Sequence, residues 1–224
     1  MQSLKFAIFI CILLSMGVAS AQVYLTPDFD KLTEYKFVYN MTYSKKFPER
    51  IGSEAVLFWN KTGEFYEFNL TKLKGYEKHI IDVKKGDTYI LSIYEVGYNT
   101  TLMNFTFKQP LLYIDYPLWI GKIWVRFARF EGTTWTPIGE IAVRGITFGY
   151  AKVLDEKVIN VEAGSFKAMK IKTVMLSVIT TPFPIKVKTT QILWLTENGT
   201  IVKREVYKDD ELSEVIELKM IEGR

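Results

Sequence analysis

His79 is the only histidine in the chain and Cys11 the only cysteine. Chemistry that needs an imidazole base or a thiolate therefore has one candidate for each. His79 stands in a strand-like run beside Ile80 and Ile81, with neither the serine turn of a hydrolase nor further metal ligands around it. Ser165 lies in Ala163-Gly164-Ser165-Phe166-Lys167, which is not a nucleophile elbow. Carboxylates are more plentiful: Glu64, Glu67, Glu95, Asp115, Glu131, Glu140, Glu156 and Glu162. A pair of them across a cleft could hydrolyse a glycosidic bond, although acids spaced along strands are ordinarily solvated faces. The expectation is a protein that is not an enzyme and has no cofactor and no metal.

The asparagines carry a sharper pattern. Asn40, Asn60, Asn69, Asn99, Asn104 and Asn198 each begin an Asn-x-Thr triplet, and only Asn160 does not. About one match among these seven is expected by chance, so six point to N-glycosylation. An acceptor must be reachable by its transferase, which places these residues on loops or solvent-facing strand positions. Five of the six precede residue 110, so the second half of the chain is the barer one.

That half also holds the densest aromatic stretch. Tyr113, Tyr116, Trp119, Trp124, Phe127, Phe130 and Trp135 lie close together, with Arg126 and Arg129 among them. Most aromatics in a strand-rich chain are core. The segment 111–122, however, is irregular and broken by proline, as the mouth of an apolar cavity would be. Tyr116, Trp119, Ile120, Trp124 and Phe127, with Phe166 and Trp194 from later strands, are therefore expected to line a cavity large enough for an acyl chain.

The elements that must position these residues are strands. Lys5, the apolar run from Phe6 to Met16 and the small residues Ala19-Ser20-Ala21 form a secretory signal, with the mature domain as 22–224 starting at Gln22. The run is shorter than the ~20 residues that span a bilayer; an uncleaved anchor is the alternative. Cleavage removes Cys11, so the mature domain has no disulfide framework. The net charge of +4 is spread along the chain and forms no basic stripe for nucleic acid. Abundant lysine and glutamate with little glutamine or cysteine is a composition found in proteins of thermophiles.

Thr26-Pro27-Asp28 predicts a short helix. From Tyr35 the period is two, with Tyr35, Phe37, Tyr39, Met41 and Tyr43 on one face. Strands are expected at 54–59, 64–70, 78–83, 88–95 and 100–108, the last stopped by Pro110. Further strands are expected at 123–130, 138–154 (bent or broken near Gly149), 166–180, 185–196, 201–207 and 213–221. Asn198-Gly199 predicts a two-residue hairpin in which Glu197 pairs with Thr200 and Trp194 with Lys203. Several strands are apolar on both faces, and the sheet must cover both. The fold class is all-β with few helical turns: one domain, built as a strongly curved antiparallel sheet, half-barrel or barrel-like.

Three segments carry a resemblance. Pro117-Leu118-Trp119-Ile120-Gly121-Lys122-Ile123-Trp124, the hairpin Val161 to Ile171 and the hairpin Trp194 to Lys203 resemble segments of secreted domains of the lipoprotein-carrier type, LolA- or LppX-like. The resemblance covers the second half only. It implies a long antiparallel sheet curled around an apolar cavity that shelters a lipid or lipidated partner. Three functions stay open: a secreted or cell-surface binding protein for a lipid-like ligand or a lipidated protein of the cell envelope; a structural, adhesion or carbohydrate-binding domain with a filled core; and a glycoside hydrolase using carboxylates.

Overall fold

The structure, a computed structural model, describes residues 22–63, 65–72, 75–84, 87–96, 102–137, 139–180 and 184–224. The signal at 1–21 and Asn99 lie outside the described residues. A short helix, α1 (Phe29–Leu32), precedes twelve strands: β1 (Tyr35–Ser44), β2 (Glu54–Thr62), β3 (Phe65–Lys72), β4 (Gly75–Lys84), β5 (Asp87–Val96), β6 (Leu102–Asp115), β7 (Ile123–Thr136), β8 (Gly139–Val161), β9 (Gly164–Thr180), β10 (Ile185–Leu195), β11 (Ile201–Lys208) and β12 (Glu211–Gly223). Each strand pairs with its neighbours in sequence, and β1 pairs with β12, which closes the sheet into a barrel. Closure gives every strand a neighbour on both sides, although β6 and β7 pair only over Met103–Phe107 and Phe130–Thr134.

Alternation decides what goes inside. On β2, Ala55, Leu57 and Trp59 are buried while Val56 and Phe58 between them are only half-buried. Phe37, Tyr39 and Met41 of β1, Phe68 and Leu70 of β3, and Ile216 and Leu218 of β12 join them in one interior cluster. Each such side chain contributes about 1.5–3 kcal/mol by leaving water, and this replaces the disulfides that the domain lacks.

The N-terminal segment closes one end of the barrel. Tyr24 makes a two-way backbone bridge with Leu118 at 2.8 and 2.7 Å, and its hydroxyl donates to Glu156 Oε1 at 2.7 Å. Asp28 caps α1 by accepting from the Lys31 amide at 3.1 Å. The helix therefore begins two residues later than Thr26-Pro27 implies, and Pro27 packs against the β10–β11 turn instead. Phe29 meets the Trp59 ring edge-on at 5.2 Å. Asp30 accepts from Lys61 Nζ at 2.8 Å and from the Tyr66 hydroxyl at 3.0 Å.

Two strands depart from expectation. β6 does not stop at Pro110 but runs on to Asp115. Its register with β5 jumps between Ile90 and Ser92, so the stretch holding the proline stands out of the ladder, where a missing N–H costs nothing. β8 is unbroken at Gly149; its irregularity falls between Val153 and Asp155. A β-carbon on Gly149 would lie 1.9 Å from the Val174 carbonyl oxygen, so only glycine fits where β8 coils against β9.

The last hairpin keeps the expected pairing of Trp194 with Lys203 but not that of Glu197 with Thr200. Thr196 takes that place, donating from its amide to the Thr200 carbonyl at 3.0 Å around a three-residue loop. The extra loop residue is absorbed by a register shift just past Trp194, opposite Val202. Gly199, at φ +82°, supplies the left-handed position such a loop requires.

Candidate functional site

The seven residues expected around one cavity are divided among four places. Tyr116 and Trp124 are buried inside the barrel. Phe127 is 47% exposed on the outside, because three positions along β7 reverse the face. Trp119 and Ile120 are exposed on the β6–β7 connection, where Lys122 Nζ sits 4.7 Å over the Trp119 ring. Trp194 belongs to a second cluster with Ala168, Ile192 and Val202, against which Phe166 packs. That cluster lies on the opposite face of the sheet from Leu193 and Leu195, and Lys170 and Lys203 flank the Trp194 ring at 5.3 and 5.4 Å.

Beneath the N-terminal plug the described residues leave little room. A void of about 20 Å³ remains among Phe29, Leu32, Trp59, Phe68, Tyr113, Tyr116, Leu195 and Ile201. That is room for about one water, far from the several hundred cubic ångströms of a ligand pocket. A more open recess of about 360 Å³ lies on the outer side of the plug, lined by Asp28, Lys31, Tyr35, Asn198 and Ile221 among others.

The large apolar feature is on the outside. β7, β8 and β9 pair in register so that Phe127, Phe148 and Leu176 form one row, and Val125, Tyr150 and Val174 the next. Ile146 and Val178 extend the block on one side and Ile123 on the other. Val125 is 73% exposed, Phe148 44% and Tyr150 43%. The inner face of β8 behind this block is built from Gly145, Thr147, Gly149 and Ala151. The large side chains of the strand thus point away from the core. No large apolar residue was expected there, since the notable aromatics were grouped by density along the chain and not by strand parity.

Cations surround the block. Arg129 precedes Ile146 and Val178 in their row, Lys152 and Lys172 follow Ile123 in its own, and Lys186 pairs with Val178 on β10. Among the described residues none of these four has an ion-pair partner. The acid at this rim, Glu131, is held below the usual carboxylate range by its bond from Lys108, at 2.8 Å. Lys188 is taken by Asp210 at 2.7 Å.

The glycan acceptors stand elsewhere. Asn40, Asn60, Asn69 and Asn104 are on the outward positions of β1, β2, β3 and β6, and Asn198 is on the β10–β11 turn. Asn104 and Asn198 are exposed, and Asn60 and Asn69 are half-buried. Asn40 departs from the expected exposure: its Oδ1 is buried and has no hydrogen-bond partner among the described residues. Asn60 Oδ1 accepts from Arg224 Nη1 at 3.1 Å. None of these acceptors lies on β7, β8 or β9.

Among the described residues four cations are buried: Arg50, which lies 4.0 Å over the Phe47 ring without an acid, and three on strands or at their ends that differ in their company. Lys122 pairs with Asp115 at 2.9 Å, and Arg204 with Glu214 at 3.1 Å. Arg126 has no carboxylate; its Nε donates to the Leu112 carbonyl at 2.6 Å and its guanidinium lies 5.3 Å from the Tyr113 ring centre. Burial pushes the Arg126 guanidinium down to about 10. Glu156, one of the sequence's candidate acids, is tied to Lys167 at 2.8 Å and to Tyr24.

No family model matches the chain, and no curated protein matches it. Two solved structures are similar to it. One, from Bacteroides fragilis, is described as an exported protein with a YmcC-like fold; it shares 15% identity at a TM-score of 0.46, over 90% of this chain and 100% of the other. The second, from Parabacteroides distasonis, is described as a lipoprotein; it shares 11% identity at a TM-score of 0.43, over 89% of this chain and 99% of the other.

Proposed function

We propose that this chain is an extracytoplasmic β-barrel that engages a lipid surface through the outer face of β7–β9. The observation that carries the reading is the apolar block centred on Phe127, Phe148 and Tyr150, exposed and ringed by cations that have no ion-pair partner among the described residues. Apolar and aromatic side chains at the centre suit the acyl boundary, and lysine and arginine at the rim suit anionic headgroups, each worth about 1 kcal/mol near such a surface.

The reading is of a barrel lying against the lipid with one flank. An apolar belt around the whole circumference would suit spanning, but other walls carry charge outside: Lys203 with Glu217 at 2.8 Å on β11 and β12, and Lys219 with Glu54 at 3.0 Å on β12 and β2. The signal-like residues 1–21 and the Asn-x-Thr triplets support an extracytoplasmic place. Their absence from β7–β9 leaves this flank free of sugar.

The test is co-flotation of the chain from Gln22 with phosphatidylglycerol vesicles, compared with phosphatidylcholine vesicles. Binding to the anionic vesicles, weakened at least tenfold by Val125→Glu with Phe127→Glu, is expected. Equal recovery of wild type and double variant with the vesicles would refute the assignment of this face.

A further inference from the structure

Asn198 differs from the other described acceptors in where it stands. Asn40, Asn60, Asn69 and Asn104 lie along strands, whereas Asn198 is on the β10–β11 turn and forms part of the wall of the recess of about 360 Å³ beside the plug. The turn orients its amide. Oδ1 accepts from the Thr196 hydroxyl and from the Thr200 amide, the latter at 3.2 Å. Nδ2, the atom to which an N-linked glycan bonds, makes no hydrogen bond among the described residues and is the free end.

The rest of that wall suits a sugar. Leu32 of α1, Tyr35 of β1 and Ile221 of β12 supply apolar surface, and Asp28 and Lys31 add a carboxylate and an ammonium. A sugar ring has the matching chemistry, C–H faces with hydroxyls around them, and a tyrosine likewise joins an apolar ring to a polar tip. The recess is at the small end of ligand pockets, which run from about 300 to 1,000 Å³, and it is open to solvent, so a free saccharide would be held weakly. A sugar bonded at the rim needs far less, because a short tether holds it at an effective concentration on the order of millimolar.

We infer that Asn198 carries a glycan whose first sugar seats in this recess and braces the β10–β11 turn to α1. This brace rests on the extracytoplasmic place proposed above and not on the lipid-facing flank. A wider and shallower hollow of about 520 Å³ opens from Asn198 on the β9 side, at Ser165, Phe166 and Lys167. It has no aliphatic wall and none of its lining belongs to α1, so a sugar lying there would leave the plug unbraced.

The experiment is carried out on protein from its own host, without vesicles. Peptide mass spectrometry reads the sugar at Asn198, and hydrogen exchange at the Lys31 and Leu32 amides reads the brace. Thr200→Val removes the triplet while keeping the Asn198 amide, and it is expected to speed that exchange several-fold. In a Tyr35→Ala background the same substitution should do much less. In the chain from Gln22 made in a host without the transferase it should do nothing. Asn104→Gln, which removes an acceptor on another wall, should leave α1 unchanged, and with Thr200→Val it reads the brace should Tyr35→Ala fail to fold. A host protein bare at Asn198 would overturn the inference at its premise. With Asn198 occupied, α1 exchange unchanged by Thr200→Val, or changed equally in the sugar-free chain or in Tyr35→Ala, would overturn the seating itself.

Discussion

Gly199 sits so close to Pro27 that a β-carbon on the glycine would meet the proline Cγ at 2.7 Å. The last hairpin turn and the N-terminal plug are thereby fitted to one another, with the proline Cβ next nearest at 2.9 Å and Leu32 Cδ1 at 3.2 Å. Gly199 also holds φ +82°, which a side chain resists.

Gly199→Ala should therefore destabilise by two separable effects, backbone strain of about 1–2 kcal/mol and displacement of the plug. In a Pro27→Gly background the second is relieved and the first stays. Urea unfolding of the four proteins is expected to show a smaller cost of Gly199→Ala in that background, but not a zero cost. Equal costs in both backgrounds would mean that turn and plug are energetically independent.

Acid should loosen the same plug. The bonds from Lys61, and then from Tyr66, hold the Asp30 carboxyl below the usual carboxylate range. A group whose folded pKa is depressed contributes stability above its unfolded pKa and loses it as pH falls through the folded one. Hydrogen exchange at Lys31 and Leu32, taken relative to the intrinsic rate at each pH, is expected to accelerate below the ordinary carboxylate range in wild type. In Asp30→Asn it should be faster at neutral pH and less sensitive to acid. A pH response unchanged by Asp30→Asn would assign it to another group.

Much of this barrel was legible from alternation alone. The inward face of β1 at Phe37, Tyr39 and Met41 follows from period two, and the pairing of Trp194 with Lys203 follows from the turn signal. The three-residue loop was not legible, because the shift opposite Val202 restores the register that a two-residue loop would have had. Pro110 ends no strand, since tertiary context had already taken that stretch out of its ladder.

The apolar outer face was hidden for a different reason. Both faces of β8 and β9 are apolar enough to be inward, so hydrophobicity does not tell which is. The usable signal is size: from residue 145 to 151, β8 alternates Gly145, Thr147, Gly149 and Ala151 with Ile146, Phe148 and Tyr150. A narrow, coiled interior accepts only the small set. The same parity separates Trp124 from Phe127, which proximity in sequence had grouped.

Sugar attachment should follow exposure and not merely the triplet. Peptide mass spectrometry of protein from its own host is expected to find Asn104 and Asn198 occupied, Asn160 bare, and Asn40 the least occupied of the described acceptors. Full occupancy of Asn40 would show that its covered amide opens before or during transfer.

The most direct measurement places a reporter on the proposed lipid-facing flank. Cys11 is the only cysteine, so the chain from Gln22 is thiol-free, and Val125→Cys can be labelled singly with a polarity-sensitive fluorophore. Thr71→Cys, exposed on β3 in a different wall, is the control. On adding phosphatidylglycerol vesicles, the account predicts a blue shift at position 125 and none at position 71. No shift at 125, or the same shift at both, would contradict it.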